Sequence, residues 1–118
     1  MVSILVVDDS NYARTIISNI IKNKGWNIFE ASNGKEALDK IANQVLDCII
    51  LDLTMPEMDG RTVLKQLQEQ NTNIPVIVVT ADVQDSTRQE VMHLGVKKVI
   101  NKPVKKENLI ESILESIS

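Results

Sequence analysis

The sequence is poor in cysteine and aromatic residues, and it contains no long hydrophobic run. Its one cysteine, Cys48, lies in the apolar segment Cys-Ile-Ile-Leu and has no second thiol for a disulfide, so we interpret it as a small core residue. No segment reaches the roughly 20 apolar residues of a transmembrane helix, and the N-terminus lacks the basic region of a signal peptide. These absences predict a cytoplasmic protein that does not enter a membrane.

An excess of positive charge is also missing. The formal net charge is −3, whereas proteins that bind nucleic acid non-specifically are usually basic, so we expect no nucleic-acid partner. No internal repeat, low-complexity tract or linker divides the 118 residues. Because this is the length of one domain, and a hydrophobic content of 43% is ordinary for globular proteins, we predict a single domain over residues 1–118 with no output domain.

What the sequence does have is a regular alternation of two hydrophobic patterns. Apolar, β-branched runs predict five strands, at residues 3–7, 26–31, 48–51, 76–79 and 96–100. Apolar residues at helical spacing follow each run and predict five helices, of which the fourth is polar and weak in pattern. The apolar face of the second predicted helix includes Ala42 and Val45. The third and fourth runs are almost wholly apolar, which is typical of central parallel strands. The alternation therefore predicts an α/β fold with a doubly wound parallel sheet.

Residues suited to phosphate chemistry stand where these predicted strands end. The first strand ends in Asp8 and Asp9, the third in Asp52, the fourth in Thr80 and the fifth in Lys102. Parallel strands bring their carboxyl ends to one edge of a sheet, so we expect these side chains to converge. Three carboxylates would repel one another unless a cation lay among them, and hard oxygen ligands favour Mg²⁺. A carboxylate in such a site can act as the nucleophile in phosphoryl transfer.

Four separated motifs resemble the signatures of response-regulator receiver domains, which belong to two-component systems. They are Val7-Asp8-Asp9-Ser10, Leu51-Asp52-Leu53-Thr54-Met55-Pro56 with Met58-Asp59-Gly60, Val79-Thr80-Ala81 and Lys102-Pro103. The motifs occur in the family's order, and the resemblance spans the whole chain. It implies a flavodoxin-like (βα)5 fold with strand order 2-1-3-4-5. It also implies a phosphoacceptor switch, not an enzyme.

The resemblance assigns the acidic residues to phosphorylation and to metal binding. It implies that Asp52 accepts the phosphoryl group. Asp9, Asp52 and the backbone carbonyl of Thr54 are implied to bind Mg²⁺ directly, and Asp8 to act mostly through a metal-bound water. Asp59 and Gly60 are interpreted as shaping the loop and starting the third helix.

The later motifs carry the implied response to phosphorylation. Thr80 is implied to move toward the phosphoryl group and Lys102 to pair with it, with a cis bond between Lys102 and Pro103. Val99 departs from the family, whose members commonly carry Tyr or Phe there, so an aromatic rotamer switch is absent. Asp82 and Thr54 occupy variable positions that in the family tune loss of the phosphoryl group. The Asp82 carboxylate could order or repel the attacking water.

Partners follow from the same resemblance. A histidine kinase or phosphotransfer protein is the implied donor, and a separate downstream protein, in chemotaxis or a phosphorelay, reads the phosphorylated state. We expect that protein to use the fourth helix, fifth strand and fifth helix. Around this face lie four lysines, which are either a solvated, protected sheet edge or a docking surface for an acidic partner. They are Lys97, Lys98, Lys105 and Lys106.

Several other interpretations stay open at this point. A haloacid-dehalogenase-like phosphatase also forms an aspartyl-phosphate, but residues 52–54 lack its second Asp and follow the third strand, not the first. A flavin carrier would need a Gly-rich phosphate loop where Asp8 and Asp9 stand, and a receiver-like module could bind partners without phosphorylation. The two aspartates could be turn or cap residues, and Thr80 a helix N-cap. Tyr12 lines the phosphorylation pocket or packs on the surface.

Overall fold

The computed structural model describes residues 1–53 and 60–118, in which five strands alternate with five helices. The strands are β1 (Ser3–Val7), β2 (Asn27–Ala31), β3 (Cys48–Asp52), β4 (Val76–Thr80) and β5 (Lys98–Asn101). The helices are α1 (Asn11–Lys22), α2 (Gly34–Asn43), α3 (Gly60–Glu69), α4 (Asp85–His93) and α5 (Lys106–Ile117). Within the described residues, no helix is both long and apolar enough to cross a membrane.

The five strands form one parallel sheet in the order β2-β1-β3-β4-β5. This order confirms the flavodoxin-like arrangement that the resemblance implies. β3 and β4 are buried along their whole length, as their apolar runs predict, whereas the edge strand β2 is largely exposed or half-buried. Since β1 and β3 are direct neighbours, with Val7 opposite Leu51, their carboxyl ends lie side by side.

Alternate side chains of the strands enter two hydrophobic layers on opposite faces of the sheet. One layer includes side chains of α2, α3 and α4, and the other includes side chains of α1 and α5. The first layer takes Leu5 and Leu51, while the second takes Val6 and Ile50. Each large side chain buried in this way stabilises the fold by about 1.5–3 kcal/mol, so the helices are held against a rigid sheet.

Side-chain caps and glycines define the helix ends. Ser10 Oγ accepts a hydrogen bond of 3.2 Å from the amide of Ala13 at the start of α1. Asn33 Oδ1 accepts one of 2.8 Å from the amide of Glu36 in α2. These side chains satisfy amides that have no partner inside the helix. Gly95, directly after Leu94, the C-cap residue of α4, has φ +93°, a conformation that residues with a Cβ rarely adopt.

Several details of the predicted elements are wrong. Val45 is 89% exposed, and Ala42 is exposed, because α2 ends at Asn43 and the chain then turns to bury Leu46 instead. Two strands also begin later than predicted, the second at Asn27 and not at residue 26, and the fifth at Lys98 and not at residue 96. Val96 is buried in the turn before β5, so its apolar character reflects packing and not strand pairing.

Candidate functional site

Three carboxylates converge at the carboxyl edge of the sheet, as expected from the strand ends. Asp8 and Asp9 follow β1, and Asp52 is the last residue of β3. One carboxylate oxygen from each lies within 4.8 Å of the other two. Asp8 is 1% and Asp52 7% exposed, whereas Asp9 is exposed. The cluster is therefore buried on the side of β1 and β3 and open to solvent at Asp9.

The ammonium group of Lys102 lies between the two buried carboxylates. Its Nζ is 3.1 Å from Asp8 Oδ2 and 3.7 Å from Asp52 Oδ1. The backbone amide of Lys102 donates a hydrogen bond of 2.8 Å to the carbonyl of Thr80, and the bond to Pro103 is cis. One cation thus partly offsets the repulsion within the cluster, and removing it would leave two buried carboxylates without this partner.

The loop between β1 and α1 is held by hydrogen bonds that start from Arg14. Its Nη1 donates to the carbonyl of Asp8 at 2.6 Å, its Nε donates to Glu30 Oε1 at 2.8 Å, and its Nη2 donates to Asn11 Oδ1. The planar guanidinium suits such multiple contacts. Arg14 therefore fixes the backbone that presents Asp8. This role leaves no local signal in the sequence, because its partner Glu30 lies on a different strand.

Asp8 also has a turn role, so the simpler interpretation of this residue is partly right. Its Oδ1 accepts a hydrogen bond of 2.9 Å from the amide of Ser10, while its Oδ2 faces Lys102. The N-cap of α1 is Ser10. Shaping the loop and contributing to the acidic cluster are thus compatible functions of one carboxylate.

Thr80 ends β4 at the same edge of the sheet and is 2% exposed. Its Oγ1 accepts a hydrogen bond of 3.1 Å from the amide of Asp82. The N-cap position of α4 is Gln84, so the interpretation of Thr80 as a helix cap is wrong. The strand end, and not a helix, sets the position of this hydroxyl.

The carboxylate of Asp82 binds the first turn of α4. Its Oδ2 accepts a hydrogen bond of 2.6 Å from the hydroxyl of Thr87, and its Oδ1 accepts one of 2.9 Å from the amide of Gln84. These two hydrogen bonds lower the pKa of Asp82, the one from Thr87 contributing most. The carboxylate is therefore ionised at neutral pH. An effect of Asp82 on an attacking water stays a prediction.

The position that is commonly aromatic in the family is buried and aliphatic. Val99 is 7% exposed and packs in the hydrophobic layer that includes Val91 of α4. It pairs with Val78 in the sheet register. A ring that swings between exposed and buried positions has no equivalent here.

The segment between β3 and α3 is only partly described. Thr54, whose carbonyl is an implied metal ligand, and Asp59 lie outside the described residues. Gly60, which opens α3, donates a hydrogen bond of 2.8 Å to the carbonyl of Leu53. A Cβ on Gly60 would lie 2.8 Å from the carbonyl oxygen of Asp52 and from Cα of Leu53. Only glycine allows α3 to start this close to the end of β3.

Tyr12 lies on the surface beside the acidic cluster. It is 78% exposed and borders a largely apolar groove of about 480 Å³, which Lys102 also lines. The other lining residues are Ala13, Ile16, Ile17, Pro103 and Val104. The groove therefore shares a wall with the cluster, and the role of Tyr12 in access to it stays a prediction.

The donor set of the cluster fits a hard divalent cation. Its carboxylate oxygens are anionic and closely spaced, and Mg²⁺ is bound in proteins through one or two carboxylates together with water and phosphate oxygens. Softer sites need thiolate or imidazole ligands, and the described cluster contains neither. A carboxylate nucleophile next to an ammonium group, with a cation neutralising its neighbours, is suited to phosphoryl transfer.

Comparison with known proteins places this geometry in a family. Residues 4–114 match the family model described as the response regulator receiver domain. This chain belongs to the response regulator receiver family. The receiver domain is 33% identical over 116 residues to the chemotaxis protein CheY of Bacillus subtilis, covering 98% of this chain and 97% of CheY. It is 32% identical over 117 residues to the transcriptional regulatory protein ZraR of Escherichia coli, covering 99% of this chain and 26% of ZraR.

Solved receiver structures agree with this assignment. The receiver domain of the Francisella response regulator 1452 superposes with a TM-score of 0.94 at 31% identity, covering 99% of this chain and 97% of that one. The chemotaxis response regulator CheY4 of Vibrio cholerae superposes with a TM-score of 0.89 at 30% identity, covering 98% of both chains. The predicted family and fold are thus confirmed. Receiver domains are phosphoacceptor switches of two-component systems that work with histidine kinases and downstream targets.

Proposed function

We propose that Asp52 of this receiver domain accepts a phosphoryl group in a Mg²⁺-dependent reaction, and that the product shifts the domain toward a conformation with altered partner affinity. The observation that supports this most directly is the position of the Asp52 carboxylate. It lies within 4.8 Å of two other carboxylates and 3.7 Å from the Lys102 ammonium group. A nucleophile, a cation site and a fixed positive charge thus lie together.

In the proposed reaction, one carboxylate oxygen of Asp52 forms a bond to phosphorus. The bond from phosphorus to the donor atom breaks, and the donor keeps that electron pair. Lys102 neutralises charge on the transferred phosphoryl oxygens, and the Thr80 hydroxyl donates a hydrogen bond to one of them. Asp9, Asp52 and the carbonyl of Thr54 would hold the metal, with Asp8 acting through water. Bound Mg²⁺ supplies neutralisation of the charge that builds up between nucleophile and phosphate.

The proposed donor is a histidine kinase or a phosphotransfer protein. The proposed reader is a separate protein that docks on α4, β5 and α5 in the cytoplasm, with residues 1–118 forming the single receiver domain. Similarity to CheY supports chemotaxis as the process. Three lysines around this face, Lys97, Lys105 and Lys106, are exposed, and Lys98 lies 4.0 Å from Glu115. These lysines would supply the positive charge that an acidic segment of the partner contacts.

Intact mass spectrometry after incubation with acetyl phosphate tests the proposal. We expect one phosphoryl adduct that requires Mg²⁺ and is lost in Asp52→Ala. Asp39→Ala, which removes an exposed carboxylate of α2, should load like the native protein. An adduct that persists without Asp52, or none under conditions that load another receiver domain, would contradict the proposal.

A receiver-like module that binds its partner without phosphorylation is the second candidate. The burial of Val99 favours it, because the aromatic switch common in the family is missing. If this candidate is right, Asp52→Asn keeps full signalling and partner affinity. If phosphorylation is required, the same substitution abolishes both responses.

A further inference from the structure

Four hydrogen bonds meet at Asp82, in the loop between β4 and α4. Its amide donates to Thr80 Oγ1 at 3.1 Å, and its carbonyl accepts from Asn101 Nδ2 at 3.1 Å. Its carboxylate accepts from the amide of Gln84 at 2.9 Å and from the hydroxyl of Thr87 at 2.6 Å. One residue thus connects the hydroxyl at the site to α4 and to the end of β5.

The bond between Asp82 and Thr87 has the character of a strong hydrogen bond. Thr87 is 6% exposed, and its donor–acceptor distance of 2.6 Å is typical of a hydroxyl donating to an ionised carboxylate. The same contact lowers the pKa of Asp82, so the carboxylate stays an acceptor at neutral pH. Displacing this loop without disturbing the start of α4 would break that bond.

Besides this bond, α4 is attached through two buried residues and through the ion pair of its Glu90 with Arg61 of α3. Thr87 and Val91 are its buried residues, and most of its surface is polar. Elements with few buried apolar contacts open and shift at low free energy. The hydrogen bond that Thr87 donates to Asp82 therefore helps to fix the first turn of this helix.

We propose that Asp82 is a positioning residue that couples the Thr80 hydroxyl to α4 through its hydrogen bond with Thr87. The inference rests on the proposed function, in which Thr80 moves toward a phosphoryl group on Asp52. As the hydroxyl moves, it leaves the amide of Asp82, and that half-buried donor loses its acceptor. The loop then rearranges, and the carboxylate transmits the movement to α4. This route replaces the aromatic one that Val99 cannot provide.

Thr87→Val tests the coupling, because valine matches threonine in shape but removes the hydroxyl donor. Thr87→Ser restores the donor and serves as the rescue variant. Ser86→Ala is the matched control: it removes an exposed hydroxyl one residue away that contacts Gln84 Oε1 at 3.5 Å and not Asp82. The probe is Mg²⁺ with beryllium fluoride, which forms a tetrahedral adduct on a carboxylate, followed by amide NMR shifts.

We expect beryllium fluoride to shift the amides of Thr80, Asp82 and α4 in the native protein, in Ser86→Ala and in Thr87→Ser. In Thr87→Val the amides near Thr80 still shift, while those of α4 shift by less than about half. Because coupling between sites is reciprocal, the apparent affinity for beryllium fluoride should rise about fivefold when the site no longer has to move α4.

Equal α4 shifts in Thr87→Val and the native protein would overturn the coupling while leaving the phosphorylation of Asp52 intact. No response of the native protein to beryllium fluoride would instead overturn the proposed function, and the coupling with it. Asp82→Asn provides a second variant if Thr87→Val does not fold. It keeps the acceptor for Gln84 but removes the charge, and we expect it to weaken the α4 response as well.

Discussion

Substituting Asp52 by Asn should stabilise the domain when divalent cations are absent. The two side chains have nearly the same shape, so the change chiefly removes one negative charge. In the native protein this charge lies within 4.8 Å of two like charges, those of Asp8 and Asp9. Among the described residues, it also lies 3.7 Å from the opposite charge of Lys102. The sign of the effect depends on which of these interactions is larger.

Coulomb's law gives the magnitude. With an effective dielectric constant of about 20, two unit charges 4.8 Å apart repel by about 3.5 kcal/mol, and an ion pair at 3.7 Å attracts by about 4.5 kcal/mol. Asp9 is exposed, so solvent screens its share to about half. The buried Asp52 carboxylate also loses hydration on folding, which the neutral amide largely avoids. Together these effects favour Asp52→Asn by about 1–2 kcal/mol.

Thermal unfolding followed by circular dichroism, at low salt with a chelator, measures this difference. The expected rise in Tm is about 5 °C for a domain of this size. Adding Mg²⁺ at tenfold above its Kd should stabilise the native protein by about 1.4 kcal/mol. It should stabilise Asp52→Asn less, because one ligand is lost, so the two Tm values converge. Raising the salt concentration should also reduce the difference.

Asp39→Asn is the matched control, since it removes an exposed carboxylate of α2. Its stability should change by no more than about 0.5 kcal/mol, with no dependence on Mg²⁺. If Asp52→Asn is equally or less stable than the native protein without divalent cations, the electrostatic reasoning about the cluster is wrong.

Three further predictions concern single residues. Gly60→Ala should lower stability by about 1–3 kcal/mol and impair phosphoryl loading, because its Cβ would meet the end of β3 at 2.8 Å. In the control Gly95→Ala the new Cβ lies in open space, so the change should lower stability by about 1 kcal/mol and leave phosphoryl loading intact. Burial raises the pKa of Cys48 to about 12, so its thiol should resist iodoacetamide at about pH 8 until the protein unfolds. The free energy of unfolding should also fall above pH 9.0, because the thiol of the unfolded chain loses its proton at lower pH than the buried thiol. Arg14→Ala should weaken Mg²⁺ binding about tenfold in calorimetry; unchanged affinity would rule out its positioning role.

The sequence was enough to predict which of the described segments form strands and which form helices. It also predicted most of the residues at the strand ends. A strand covered on both faces needs a continuous apolar run, which residues 48–51 and 76–79 show, and a polar residue then marks where it ends. This local rule identifies Asp52 and Thr80 without reference to any other part of the chain. The strand order came from the resemblance, since short apolar runs do not say which strands are neighbours.

Element boundaries depended on tertiary packing. Val45 continues the apolar spacing of the second helix, yet α2 ends at Asn43 because burying Leu46 takes precedence. Thr80 has the side chain of an N-cap, but β4 carries it to the sheet edge, where its hydroxyl meets the amide of Asp82. Local propensity describes what a residue tolerates, and the packed core decides among the permitted conformations.

By itself, the sequence determined which groups would meet at the sheet edge: carboxylates, a hydroxyl and an ammonium group. Only the tertiary structure decided how they pair. Lys102 bonds to Asp8 across 94 residues, and Arg14 bonds to Glu30 across 16. Such contacts leave no periodic trace in the chain, because they depend on strand register and on side-chain orientations that packing against the whole sheet determines.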